Sequence, residues 1–159
     1  MKKNLLIFFV TLIISCGSNE NKKKGFEYNR TQKKENKKYN TEESSTPIDL
    51  KNKGLGPIKE ANFGEFIDQD LANKGASSFN RKCTACHMAG RKLIGPAMKG
   101  IYDRRSPEWV MNMILNPVGM LKKDPIAIAL LKEYNNIMML NQNITKDEAR
   151  SISEYLRTL

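Results

Sequence analysis

The stretch RKCTACHMAG, residues 81–90, holds the chain's one histidine and two of its three cysteines. Cys83, Cys86 and His87 are spaced C-x-x-C-H, and three chemistries use such a group. A structural zinc site needs four ligands. This chain offers two thiols and one imidazole here and no second C-x-x-C or H-x-x-x-H, so a carboxylate would have to complete the set. A dithiol redox pair opens a helix in a strand-helix-strand setting, whereas here helical patterning precedes the pair. Covalent attachment of haem uses every member: the thiols add to two vinyl groups and the adjacent imidazole ligates the iron. That reading is preferred because it also suits an exported chain whose domain is short of large apolar side chains.

The elements that must position this cluster are helical. Leu71, Gly75, Phe79 and Cys83 recur every four residues, so they share one face of a helix expected from about Asp70 to Cys86. SPEWVMNMILNP supplies Ser106 as N-cap and Pro107 at the first helical position, and Asn116-Pro117 is expected to stop that helix. DPIAIALLKEY repeats the device with Asp124 and Pro125. Thr145 and Glu148 form a capping box for a last helix that turns Ile152, Tyr155 and Leu156 inward. No alternating strand pattern of useful length appears, so the class is all-α, about four helices joined by irregular stretches.

The two ends of the chain differ in kind. Residues 1–15 read as a removable export signal: Lys2 and Lys3, then an apolar run from Leu5 to Ile14 that is far short of the ~20 residues a membrane-spanning helix needs. Ile13-Ile14-Ser15-Cys16-Gly17 resembles the lipobox of bacterial lipoproteins, which makes Cys16 the expected lipidated residue. The protein is then exported and lipid-anchored to a bacterial membrane, facing the periplasm. Residues 17–60 hold 11 Lys or Arg, 7 Asp or Glu and seven clearly apolar side chains. Such a segment is expected to stay a disordered tether, with a coil span of roughly 35 to 40 Å. The domain is thus expected over 61–159, with Cys16 and the tether filling 16–60. Its formal charge of +4 is spread out with no basic helical stripe, which argues against nucleic acid as a partner.

Beyond the motif, residues 66–159 resemble the class I c-type cytochromes. That family carries Gly-x-x-x-aromatic-x-x-x-Cys on its first helix, here Gly75, Phe79 and Cys83, crossed by a terminal helix, here bearing Ile152 and Tyr155. Its Gly-Pro pair is matched by Gly95-Pro96, and the resemblance implies that the Pro96 carbonyl takes the imidazole proton of His87. It implies a cytochrome c-like fold around one covalently bound haem c. With no second histidine, a methionine sulfur is the natural second axial ligand. The family places it just before the last helix, where Met138 and Met139 stand, and counting back from Thr145 favours Met139. Met138 and, more weakly, Met120 in a loop remain alternatives. Tyr102, Arg104, Arg105 and Trp109 occupy the region where the family finds donors for the haem propionates. The resemblance further implies a carrier of single electrons, which the lipobox at Cys16 would tether to a membrane. A quinol-oxidising complex would stand upstream, and a terminal oxidase or nitrogen-oxide reductase downstream. The rival expectations are a haem enzyme or sensor, of the peroxidase or gas-binding kind, with a labile distal ligand, and a zinc-stapled binding lipoprotein.

Overall fold

The computed structural model describes residues 46–159; the signal segment, Cys16 and the first part of the expected tether lie outside the described residues. Five helices follow one another: α1 (Gln69–Lys82), α2 (Pro107–Leu115), α3 (Pro117–Lys123), α4 (Pro125–Glu133) and α5 (Lys146–Leu156). A 3-10 turn at Ile101–Asp103 lies between α1 and α2. Among the described residues the only β-type pairing is one parallel bridge between Asp49 and Arg105. The fold is all-α, and its caps are those the sequence announces. Ser106 accepts a hydrogen bond from Trp109 N–H, Asp124 from Ala127 N–H and Thr145 from Glu148 N–H.

Two helix ends differ from expectation. Asn116-Pro117 does not stop the helical run. Asn116 closes α2 and also caps α3, its side chain accepting from Gly119 N–H at 3.2 Å. Pro117 stands at the first position of α3, where its missing N–H is not needed. Among the described residues the helices therefore number five, and Met120 lies on α3 and not in a loop. At the other end, α1 stops at Lys82 and not at Cys86, because the Cys83 carbonyl accepts from both Cys86 N–H (3.0 Å) and His87 N–H (2.9 Å) and closes a turn.

Helix α5 crosses α1 at backbone contact. A Cβ on Gly75 would collide with the Ser151 carbonyl and lie 2.9 Å from Ile152 N, so only glycine lets the two helices meet there. One turn on, the rings of Phe79 and Tyr155 pack with centroids 5.4 Å apart. Beside this crossing, Trp109, Met111, Met120, Ile126 and Leu156 fill the core. Glu154, fully buried on α5, accepts from Asp68 N–H, Arg150 and Arg157. Burial pushes its carboxyl up, but those hydrogen bonds and the two guanidinium charges outweigh it and hold the group below its ordinary value. Both guanidiniums also lie over the Phe63 ring, at 4.4 and 5.0 Å, so the segment leading into α1 is fastened to α5.

Residues 46–60, which composition assigns to the tether, are instead part of the fold. They run as a strap along α2, α3 and α4. The amide of Asn112, 1% exposed, donates to the carbonyls of Lys53 (2.9 Å) and Ile58 (2.8 Å) and accepts from Ile58 N–H (3.0 Å). Ser106 donates to Asn52 O, Asn52 donates to Asp124 Oδ2, Arg105 donates to Pro47 O, and Thr46 donates to Glu133. Gly56 leaves no room for a Cβ against Asn112, and Gly54, at φ +70°, brings the chain onto the Met120 side chain. The strap is held by hydrogen bonds to buried polar side chains, so a count of its own apolar residues does not register it.

Candidate functional site

Cys83, Cys86 and His87 come off the end of α1 on the turn just described. The loop that follows folds back on them: Gly95 N–H donates to Cys86 O (2.8 Å), Met98 N–H to Met88 O (3.1 Å) and Lys99 N–H to Ala89 O (2.8 Å). This doubled loop sets Gly95-Pro96 against the histidine. His87 Nδ1 lies 3.1 Å from the Pro96 carbonyl oxygen. A carbonyl only accepts, so Nδ1 carries the proton and Nε2 keeps the free lone pair of a ligand. The backbone of Gly95 faces the ring so closely that a Cβ there would come 2.8 Å from Nδ1. Burial lowers the pKa of His87 and the Pro96 hydrogen bond only partly restores it, so the imidazole is neutral at pH 7, the state a metal requires.

The two thiols differ. Cys86 is exposed, while Cys83 packs against the core and is half-buried. Burial, and then the nearby Glu148 charge, push Cys83 up to about 11. Disulfide exchange uses the thiolate, the form that burial disfavours at Cys83. Nor, among the described residues, does a carboxylate join these three groups in a metal-binding cluster. Addition of S–H across a vinyl group consumes the neutral thiol with its proton, so the donor set fits covalent haem.

Opposite in sequence, residues 135–144 between α4 and α5 carry the two methionines. The chain enters with Asn135 and Asn136 at φ +58° and +57° and leaves through Asn143 at +52°, left-handed conformations that asparagine adopts most readily among residues with a Cβ. Within this loop Met138 is 50% exposed, whereas Met139 is partly buried and packs against the core. The third candidate is engaged elsewhere: Met120 has no exposed surface and its sulfur lies 2.9 Å from Leu55 N, taking that hydrogen bond from the strap.

The four residues named as propionate donors are distributed differently from that expectation. The Trp109 side chain has a single N–H and gives it to Asp124 Oδ1 at 3.0 Å; the Tyr102 side chain has a single O–H and gives it to Ser153 O at 2.9 Å. Both serve the core. Arg104 donates to Ala97 O and Lys99 O, and Arg105 to Pro47 O and Arg104 O. These guanidiniums retain further N–H groups, among them the buried Arg105 Nε, which has no partner. Sequence reading missed Asp124 as more than a cap: one oxygen serves α4 and Trp109, the other Asn52. The Asp-Pro pair signals only the first of these tasks.

The profile of the family Cytochrome c matches residues 72–159. Cytochrome c from Rhodothermus marinus is similar at 43% identity and TM-score 0.63, over 65% of this chain and 88% of that one. An engineered form of it, Rma TDE, is similar at 42% identity and TM-score 0.62, over 65% and 89%. The same engineered protein bound to a carbene intermediate gives 42% and 0.60, over 65% and 88%. Among curated proteins none matches.

Proposed function

The chain belongs to the cytochrome c family, and from that premise we propose that it is a membrane-tethered, single-haem electron carrier with iron held between His87 and Met139. The family's cofactor is haem c, attached here through Cys83 and Cys86. When bound, it supplies a one-electron Fe(II)/Fe(III) couple. The observation that carries the reading is the His87 to Pro96 hydrogen bond, which fixes the ring, sets the tautomer and raises its basicity as a ligand. Met139 is supported by its place against the core beside an exposed Met138. A thioether there raises the potential, and the apolar side chains around it raise it further by disfavouring charge. With Tyr102 and Trp109 committed to the core, the propionate role passes to Arg104 and Arg105.

With His87 and Met139 both holding the iron, an added ligand would find no open position. The reduced holoprotein is therefore expected to keep its low-spin spectrum under carbon monoxide. A prompt shift to a carbon monoxide complex would favour the rival, a haem enzyme or gas sensor; the engineered relative bound to a carbene intermediate is the observation on that side. The proposed upstream partner is a quinol-oxidising complex, and the downstream one a terminal oxidase or nitrogen-oxide reductase.

The export signal and the residue Cys16 support lipid anchoring to a bacterial membrane with the domain in the periplasm. Cys16→Ser is expected to release the protein into the soluble fraction or to block its processing, with haem attached normally in whatever is exported. Fractionation with a haem-stained gel decides this, and a variant processed and membrane-bound like the wild type would count against the anchor.

A further inference from the structure

The strap that enters the fold at Thr46 leaves its outer side bare. Asp49 donates its N–H to Arg104 O and bridges to Arg105, so the chain is extended there and its neighbours Ile48 and Leu50 project to one side. They are 67% and 54% exposed. Further along, Leu55 is 41% exposed while its backbone grips α3: its N–H goes to the Met120 sulfur and its carbonyl takes the Asn116 amide at 3.1 Å. On α3 the buried Pro117, Met120 and Leu121 share the inner face, which leaves Val118 and Lys122, one turn apart, and Lys123 on the outer one. Asn52, bonded to Asp124, brings the strap alongside that end of the helix, and Lys51 beside it is exposed too. Lys51, Lys122 and Lys123 make no ion pair among the described residues. The acidic groups nearby are engaged: Asp49 accepts from the N–H groups of Lys51 and Asn52, Asp124 is buried, Glu108 pairs with Lys53 and Glu133 accepts from Thr46. What faces water on this side is basic and aliphatic.

Resting on the lipid-anchor reading, we propose that the outer side of the strap and of α3 lies on the anionic surface of the membrane that holds Cys16. Only residues 17–45 separate Cys16 from Thr46. Even fully extended they reach at most about 100 Å, which keeps the face near lipid at an effective concentration on the order of millimolar. A weak surface is therefore sufficient. Ile48, Leu50, Leu55 and Val118 enter the boundary between headgroups and acyl chains, and the ammoniums of Lys51, Lys122 and Lys123 meet lipid phosphate, each worth about fivefold in affinity at low salt. None of these residues belongs to 83–99 or 135–144, so lipid occupies neither of the loops that carry His87 and Met139. The anchored domain then has a resting and a lifted state, and salt shifts it between them. A redox protein is the other surface that takes basic and apolar groups together. Nothing in this face comes from the haem-attachment turn or the methionine loop, however, whereas the segment that carries the anchor enters the fold here.

The test uses the mature, lipidated holoprotein in vesicles. Its cysteines are all engaged, Cys16 by lipid and Cys83 and Cys86 by haem, so Val118→Cys introduces a single free thiol for an environment-sensitive fluorophore. Asn73→Cys, at an exposed position on a helix that holds none of the strap's partners, is the control. In vesicles of phosphatidylcholine containing phosphatidylglycerol, emission from the label on α3 is expected to rise about threefold over pure phosphatidylcholine, while the label on α1 stays level. In the Val118→Cys background, Lys51→Glu with Lys122→Glu and Lys123→Glu is expected to abolish the rise, as high salt does in their absence. Ile48→Ser with Leu50→Ser is expected to lower it by about half at every salt concentration. An α3 label that ignores the lipid, or that responds no more than the α1 label, would overturn the proposal. So would a response that appears without anionic lipid as protein concentration rises, the mark of a contact between copies. A KM with detergent-solubilised oxidase that the triple lysine variant raises would overturn it as well, since that marks a docking face for a redox protein. Partition of the wild type into a detergent phase at the cloud point reports on the anchor by itself, so failure of that reading is told apart from failure of the face.

Discussion

Replacing Cys83 and Cys86 together by alanine is expected to abolish the retention of haem by the denatured chain. In the wild type, two thioethers keep the group on the polypeptide through acid-acetone extraction and denaturing electrophoresis; His87 alone is a coordination bond that acid protonates and breaks. The contrast expected on a haem-stained gel is full signal against none. The single variants separate the two bonds. Cys83→Ala loses the thiol that packs against the core, so it is expected to cost stability as well as one thioether. Cys86→Ala, at an exposed position, is expected to cost the thioether with little packing loss. Haem that extracts freely from the wild-type chain would end the covalent assignment for this protein.

Met139→Ala removes the proposed distal sulfur and is expected to have the second-largest effect. The ferric protein loses its weak far-red sulfur-to-iron band, and the reduced protein binds carbon monoxide. The potential drops by a substantial part of the roughly 0.8 V that axial ligands span. Met138→Ala, at a half-exposed position one residue away, keeps the band and shifts the potential little. Because adjacent residues in an irregular segment point to different sides, the pair is a sharp test of register. A band lost in Met138→Ala and kept in Met139→Ala would reverse the assignment and leave electron transfer intact.

How much of this was legible in the sequence differs from element to element. The haem-attachment motif, the four-residue spacing of Gly75, Phe79 and Cys83, and the Ser-Pro, Asp-Pro and Thr-x-x-Glu helix starts are local signals, and each stands where the sequence puts it. Gly95-Pro96 was legible only through resemblance, since by itself such a pair reads as a turn. What the sequence hid depends on partners far along the chain. Asn116-Pro117 looks like a stop, yet a residue that ends one helix also begins the next when its side chain caps Gly119 N–H. Trp109 looked like a donor for a carboxylate, and it is one, but the carboxylate is Asp124 of the protein itself. The strap went unread because its anchor, Asn112, lies in the middle of α2, where an asparagine signals nothing about the segment it grips.

The strap also decides where mechanical load would go. A pull on the chain N-terminal to Thr46 falls first on the Thr46 to Glu133 contact, then on the Arg105 to Pro47 bond and the Asp49 bridge, and then on Asn52, Lys53 and Leu55 in turn. Their partners sit on α2, α3, α4 and the short run before α2, and none belongs to residues 83–99 or 135–144. Bonds ranged along a strap share tension in sequence, so a force applied at Thr46 is taken up there before it reaches the loops that carry His87 and Met139.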